Sequence, residues 1–427
     1  MRAQTNSFAA TGEALTNGIA HGAVPGTNEI TFSKFLNEVG AANLDYAAQR
    51  YNVSIAEAAV AAAKEFQNPS LQVNGGRDVT QGGDQRLPST YGTSLTQPIE
   101  LGGKRKYRIL AARQNYAAAA ATLDSFLRNL KLDAASAFAD ALALSRSAEQ
   151  KRESARYLSR LTETQRERFR TGDISHAEML QTQVEEQQFQ NEVLTAQADA
   201  DNASIGLSAF LGRDGAETVL IPKGNLEIPT RDFDLSSLLA EALRNRSDLI
   251  ALRHTREAAQ SNVSVEKANR VPDVDVGGGW THSTVSHNSI APSPAFDDIG
   301  LTLSFPLPLW NRNRAAIASA RFAADQAEIQ VEAAELKAEV QIRQAFSAYQ
   351  SAVEQLRHYQ NGILKDADAV VEAKRFSYQH GQTTLLELLD AQRTDNEVRS
   401  GYNDALAGHA KALIELERAT QQWELQF

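Results

Sequence analysis

Two acidic residues, Glu387 and Asp390, lie three positions apart in the segment YQHGQTTLLELLDAQ, which spans residues 378–392. On an α-helix this spacing places both carboxylates on one face, where they would attract a cation. The alternative interpretation is an ordinary solvated helix face. A second pair of candidate ligands, His282 and His287, lies in a polar loop, but a strong metal site would bring three or four ligands at fixed spacing. We therefore predict no resident metal.

Composition argues against most other chemistry. The chain has no cysteine, which excludes disulfides, cysteine zinc ligands and thiol nucleophiles. It has no nucleophile–base constellation and no phosphate-binding glycine loop, so we expect neither an enzyme nor a bound cofactor. The net charge of −10 argues against a nucleic-acid partner, because phosphate binding requires a basic face.

The acidic segment is one copy of an internal repeat. The other copy is the segment FRTGDISHAEMLQTQ, residues 169–183. Both segments have an aromatic residue, glycine, glutamate, leucine and glutamine at the same relative positions. Each matching pair is 209 positions apart, as for Gly172 and Gly381 (381 − 172 = 209). Pro98 and Pro306 match at an offset of 208 (306 − 98 = 208). A near-constant offset over several blocks predicts an internally duplicated chain.

The duplication suggests a domain organisation. The predicted units are an N-terminal extended segment at 1–30, a first repeat at 31–213, a linker at 214–234 and a second repeat at 235–427. Each repeat opens with a predicted helix, residues 32–67 and 235–269, that ends before a proline. Runs with period-two alternation follow and predict β-hairpins at 70–99 and 273–307.

Long helices follow each hairpin. Residues 104–171 contain neither glycine nor proline, and one helix of 68 residues (171 − 104 + 1) would span roughly 100 Å. The matching run in the second repeat, residues 311–380, is interrupted at Gly362. A return helix is expected after each glycine turn, at about 173–210 and 382–423. The heptad seam predicted for the second long helix consists of Ile342, Phe346, Tyr349, Val353, Leu356, Gln360 and Ile363.

Two hairpins supply only four strands, which can neither close a barrel nor hide their edges. The strands therefore form either a small soluble sheet in a coiled-coil scaffold or part of one barrel shared by several chains, twelve strands in a cyclic trimer. The strand-to-helix junctions favour the shared barrel. They contain Pro98, Pro306, Pro308 and Trp310 with basic residues just beyond, a composition typical of the rim of a membrane. The alternative is that these residues merely mark helix starts, although the helix dipole disfavours Lys and Arg there.

The repeated order of helix, hairpin, long helix, glycine turn and return helix resembles the TolC-like outer-membrane efflux channels over nearly the whole chain. The segments that carry the resemblance are QPIELGGKRKYR, PLPLWNRNR and the two glycine turns. The first two segments look most like the cobalt–zinc–cadmium (CzcC-type) heavy-metal branch. The resemblance implies a mainly α protomer with a small β part, a trimeric α-helical tunnel and a shared 12-stranded outer-membrane β-barrel.

The resemblance also implies partners. A homotrimer in outer-membrane lipid would extend into the periplasm and serve a periplasmic membrane-fusion (adaptor) protein and an inner-membrane pump of the resistance–nodulation–division (RND) class. Its cargo would be cations such as cobalt, zinc, cadmium or nickel. A duct for drugs or type I secreted polypeptides fits the same architecture and stays open. No signal peptide is visible at the N-terminus, so the outer-membrane localisation follows from the resemblance alone.

The two glycine turns acquire roles through the same resemblance. Gly172 and Gly381 would form the periplasmic tips of two helical hairpins. Adaptor contact is expected there, at Glu178, Leu180 and Leu389.

The narrow entrance of the tunnel would lie at the second tip. Glu387 and Asp390 match the acidic ring of the family, and three copies would bring six carboxylates around one axis, with mutual repulsion that raises their pKa values. Tyr378, three residues before the second glycine, matches an aromatic position linked to the closed state. The first tip keeps only one acid, Glu178, because Gln181 replaces the second.

Overall fold

The computed structural model of the protein describes residues 29–77, 88–213, 220–287 and 292–422. The N-terminal segment expected at 1–30 lies outside these residues except for its last two. The described helices are α1 (Phe32–Ala42), α2 (Leu44–Lys64), α3 (Lys104–Thr171), α4 (His176–Phe210), α5 (Leu235–Asn245), α6 (Ser247–Ala268), α7 (Arg314–His358), α8 (Leu364–Gln379) and α9 (Leu385–Thr420). The described strands are β1 (Glu29–Thr31), β2 (Ser70–Arg77), β3 (Ser89–Ile99), β4 (Ile221–Lys223), β5 (Val274–Ser283) and β6 (Phe296–Ser304).

The prediction of one medium helix at the start of each repeat is wrong in one respect, because each repeat begins with two helices. The chain breaks at Asn43 and at Arg246, which have extended backbones (ψ 125° and 124°). The Asn43 side chain accepts a hydrogen bond from the Tyr46 backbone N–H and so caps α2. The buried Arg246 guanidinium donates instead to the Ala419 carbonyl at 2.9 Å, a tertiary contact that sequence periodicity does not reveal.

The first long helix matches its prediction. Helix α3 runs without interruption from Lys104 to Thr171, 68 residues, or roughly 100 Å. In the second repeat the interruption at Gly362 is a π-helical turn, Tyr359–Ile363, between α7 and α8.

The π turn changes the heptad seam. Ile342, Tyr349 and Val353 are buried as predicted. Ile363, however, is 41% exposed, so the predicted seam is wrong from the turn onward. A π turn holds one more residue than an α turn, which shifts the register by one position, and the apolar stripe continues through Val371.

The main hydrophobic core lies about midway along α3. Phe138 from α3 packs against Phe35 from α1 with ring centroids 5.5 Å apart. Ile342 from α7 and Ile414 from α9 belong to the same buried cluster. A small parallel sheet of β1 and β4, which the sequence does not predict, pairs beside this core. The core therefore joins both repeats between the strand end and the glycine-turn end of the long helices.

Candidate functional site

The two hairpins form one antiparallel sheet with the order β2-β3-β5-β6. The repeats join through the central pair β3 and β5, so β2 and β6 are its two edges. Leu71 pairs with Leu95, Leu95 with Gly278, and Gly278 with Leu301. Because directly paired residues in an antiparallel sheet point to the same face, the register assigns every side chain to a face.

One face of the sheet is apolar and exposed. Its apolar members are Leu71, Val73, Tyr91, Leu95, Ile99, Val274, Val276, Trp280, Ile299, Leu301 and Leu303. Leu301 is 94% exposed and Ile299 is 82% exposed. An apolar surface of this extent indicates that something else covers it. We call this set the apolar sheet face.

The opposite face is polar and crowded. It carries mainly Ser, Thr, Asn, Gln, Asp and Gly residues, such as Thr96, Gly277 and Thr302, with Pro98 and Phe296 at its two ends. A Cβ on Gly277 would lie 2.9 Å from the Thr96 hydroxyl oxygen, and one on Gly279 would lie 3.1 Å from the Ser94 Cβ. Glycine allows the strands to approach closely on this side. The apolar sheet face thus backs onto a polar one.

The junction residues lie where the sheet meets the helices. Pro98 is within β3 and pairs with Asp275. Pro306 and Pro308 follow the end of β6, and Trp310 beyond them is 93% exposed. The exposed Trp310 extends the apolar surface past the strand toward α7.

The histidine pair does not assemble into a metal site. His282 pairs with Asp297 on the neighbouring strand, Nδ1 to Oδ1 at 2.9 Å, and His287 is exposed. Within the described ranges, no group of three His, Cys, Asp or Glu side chains is placed to hold a metal ion. None of the described helices has both the length and the apolar character needed to cross a bilayer.

Both glycine turns have the backbone that glycine favours. Gly172 has φ 84° and Gly381 has φ 68°, in the left-handed region. At each turn the next N–H reaches back five residues, from Asp173 to the Arg168 carbonyl and from Gln382 to the Ser377 carbonyl. Glycine therefore ends α3 and α8 by the same closed turn.

The repeated glutamates begin the return helices. Ser175 Oγ accepts from the Glu178 N–H at 3.2 Å, and Glu178 Oε2 accepts from the Ser175 N–H at 3.0 Å, a complete capping box. Thr384 Oγ1 accepts from the Glu387 N–H at 3.3 Å in the second copy. The spacings S-x-x-E (Ser175 to Glu178) and T-x-x-E (Thr384 to Glu387) are the sequence signal for a capping box, and they were not recognised from the sequence.

Glu387 and Asp390 are both exposed on the first turns of α9. Glu387 Oε2 forms an ion pair with Lys374 Nζ at 2.6 Å across the hairpin. Within one protomer, the Lys374 hydrogen bond and charge lower the pKa of Glu387 from its ordinary value. Sequence reasoning missed Lys374. This residue lies seven positions before Gly381 and Glu387 lies six positions after Gly381, so the turn places the two opposite each other.

Tyr378 ties the second tip to the first long helix. Its hydroxyl oxygen accepts from Gln165 Nε2 at 2.7 Å and from Arg168 Nη1 at 2.8 Å. The Arg168 guanidinium also lies 5.6 Å from the centre of the Tyr378 ring. Neither α3 residue was singled out from the sequence, because only the fold brings the two repeats together here.

The two leucines expected to contact an adaptor differ in exposure. Leu180 is 43% exposed. Leu389 is only 3% exposed and packs with Leu158, Phe189 and Leu385 in a small apolar cluster between the hairpins. In this conformation Leu389 is a packing residue, because its side chain is not presented to a partner.

Comparison with known families gives one match over most of the chain. A family model described as "Outer membrane efflux protein" matches residues 35–213 and 238–421.

Two curated relatives are metal-resistance proteins. The cobalt-zinc-cadmium resistance protein CzcC of Cupriavidus metallidurans is 25% identical over 391 residues, which cover 91% of this chain and 89% of the relative. The nickel-cobalt-cadmium resistance protein NccC of Alcaligenes xylosoxydans xylosoxydans is 30% identical over 296 residues, 66% of this chain and 62% of the relative.

Solved structures share the fold. A crystal structure of CusC, from work on folding and transmembrane channel formation, superposes with a TM-score of 0.76 at 18% identity and covers 91% of each chain. The predicted fold class, a duplicated and mainly helical protomer with a small sheet part, is confirmed.

Proposed function

The chain belongs to the outer membrane efflux protein family, and from that premise we propose that it is the exit duct of a tripartite RND-type efflux system for heavy-metal cations. Members of the family are channels and not enzymes. The duct carries cations such as cobalt, zinc, cadmium or nickel from the periplasm to the outside. Transport along it is passive, because the energy comes from the partner pump.

The observation that carries this proposal is the apolar sheet face. Side chains such as Leu301, at 94% exposure, are stable only when lipid or protein covers them. A membrane-spanning sheet has to be closed, because every backbone polar group in lipid needs a partner. Three copies that join edge β6 to edge β2 supply twelve strands, with the apolar face toward lipid and the polar face toward the lumen.

The helices supply the second part of the duct. Helix α3 starts at the sheet and reaches roughly 100 Å away from it. In the trimer, α3, α4, α7, α8 and α9 form a tunnel that crosses the periplasm. The glycine turns at Gly172 and Gly381 are its periplasmic tips, and the two repeats, 31–213 and 235–427, contribute one hairpin each.

The second tip forms the entrance. Glu387 and Asp390 face the cation path, and Tyr378 holds the hairpin in its narrow arrangement through its bonds to α3. The periplasmic membrane-fusion protein contacts the outside of the tips, at exposed side chains such as Glu178 and Leu180. Leu389 supports this surface from inside.

Metal cations are the proposed cargo because two relatives are named as cobalt, zinc, nickel and cadmium resistance proteins. The exposed carboxylates at the entrance suit cations. The partner pump selects the metal, so this chain does not need a discriminating coordination site. A duct for drugs or polypeptides is the competing function, and metal sensitivity separates the two.

Membrane fractionation and reconstitution test the duct itself. The protein expressed in a Gram-negative host is expected in the outer-membrane fraction, to require detergent for extraction, to migrate as a trimer and to form cation-preferring channels in planar bilayers. A fully soluble monomer that forms no channel would contradict the proposal.

A further inference from the structure

We propose that Lys374 is a charge-compensating residue of the entrance, which occupies Glu387 and so weakens the hold of the acidic ring on a passing cation. This inference rests on the proposed function, because it requires the second tip to face the conducting path. It adds a specificity-determining residue to the acids.

The geometry holds the Glu387 carboxylate from two sides. Lys374 Nζ lies 2.6 Å from Oε2, and the Thr384 hydroxyl lies 3.4 Å from Oε1. Asp390 differs, because among the described residues no ion pair or hydrogen bond involves its carboxylate. A cation that enters the tip therefore meets one free acid and one acid that already has a cationic partner in each protomer.

The first tip provides an internal comparison. At the repeat offset of 209, Lys374 corresponds to Gln165 (374 − 209 = 165), and Asp390 corresponds to Gln181 (390 − 209 = 181), whereas both tips keep the glutamate. The second tip thus has both an extra acid and an extra base. Summed over these three positions, each tip has a formal charge of −1. In the second tip Lys374 offsets one of the two acids, and in the first tip Glu178 is the only charged residue of the three.

The consequence for permeation follows from charge and distance. Six uncompensated carboxylates around one axis would bind a divalent cation firmly, and conduction requires a site that a cation also leaves readily. Lys374 acts as a tethered competitor at three of the six carboxylates. A passing cation interacts mainly with Asp390 and displaces Lys374 only at the cost of the ion pair.

Removal of the lysine charge is expected to convert the entrance into a tighter cation site. Lys374→Met frees the Glu387 carboxylate for a divalent cation, so with screening by salt it is expected to lower the half-blocking concentration of Co²⁺ roughly tenfold. Lys374→Arg keeps the charge and is expected to behave as the unmodified protein. Lys374→Met combined with Glu387→Gln is expected to return the block toward its original level.

The experiment uses the purified full-length protein in planar bilayers, with CoCl₂ added to the side that holds the helical tips. Lys365→Met is the matched control, because Lys365 is exposed on the same helix nine residues from Lys374. If the unmodified protein conducts, and Co²⁺ blocks Lys374→Met at the same concentration at which it blocks the unmodified protein, the inference is wrong but the proposed channel function is unaffected. Equal sensitisation of the single and double variants would also overturn it. If no variant conducts, the proposed function itself fails.

Discussion

Tyr378→Phe removes one hydroxyl group and leaves the ring in place. That hydroxyl accepts from Gln165 Nε2 at 2.7 Å and from Arg168 Nη1 at 2.8 Å. Gln165 is fully buried, so its amide loses a partner that water cannot replace. The ring contact of Arg168 is unchanged, because phenylalanine keeps the aromatic face.

The magnitude follows from the two bonds. A lost hydrogen bond that leaves a buried donor without a partner costs about 1–3 kcal/mol, so we expect a loss of about 2 kcal/mol in the free energy that docks α8 on α3. This corresponds to a ~30-fold increase in the population of the undocked tip.

Amide hydrogen exchange on the detergent-solubilised protein measures that population. Exchange at residues 374–385 is expected to accelerate ~30-fold in Tyr378→Phe, while amides in the main core stay unchanged. Tyr157→Phe is the control, since no hydrogen bond among the described residues uses the Tyr157 hydroxyl. Gln165→Leu added to Tyr378→Phe is expected to recover most of the protection, because an apolar pair leaves no buried donor. Unchanged exchange in Tyr378→Phe would refute the proposed link between the tips.

Three further perturbations have defined outcomes. Leu301→Lys is expected to reduce assembly into the outer membrane, because a lysine facing the middle of the bilayer costs about 2–4 kcal/mol, whereas Thr302→Lys on the polar face is tolerated. The yield of extracted trimer measures both variants, and equal losses would contradict the assignment of faces. Ser175→Ala removes the cap shared with Glu178 and is expected to cost about 1 kcal/mol in local stability, seen as faster amide exchange in the first turn of α4. Burial lowers the pKa of His409 below its ordinary value, so the folded state loses stability as the pH falls below about 6.5, where the unfolded chain binds a proton that the buried imidazole does not. His409→Leu is expected to flatten the decline of the melting temperature below about pH 6.5, and an unchanged profile would contradict this.

Local sequence signals predicted the elements they control. The absence of glycine and proline between Lys104 and Thr171 predicted one helix with the observed ends. Gly172 and Gly381 predicted both turns because their left-handed backbones disfavour other residues. Period-two alternation predicted both hairpins.

The misses depend on contacts between distant segments. The break at Arg246 reflects a bond to the Ala419 carbonyl, 173 positions away. The seam beyond Leu356 failed because a π turn moved the register by one residue. Leu389 was assigned to a partner surface, although the other repeat covers it with Leu158 and Phe189. Heptad and repeat patterns specify one helix at a time and do not show which helix lies opposite.

The entrance itself stays a prediction. Repeat matching located Glu387, whereas Asp390 came from the family resemblance, because Gln181 stands at its counterpart in the first repeat; both acidic side chains are exposed. Lys374 was missed, since an ion pair across a hairpin depends on which residues face each other after the turn. The apolar sheet face could be recognised only when the strand register put residues from both hairpins on one side.

The central claim is that this chain is the outer-membrane exit of a heavy-metal efflux system. The most direct test is the growth of a strain that lacks only this chain, on graded concentrations of Co²⁺, Zn²⁺, Cd²⁺ and Ni²⁺ and of unrelated drugs. The proposed function predicts greater sensitivity to at least one of these metals, restored by the complemented gene, with unchanged drug tolerance. Unchanged metal tolerance together with increased sensitivity to drugs would contradict it.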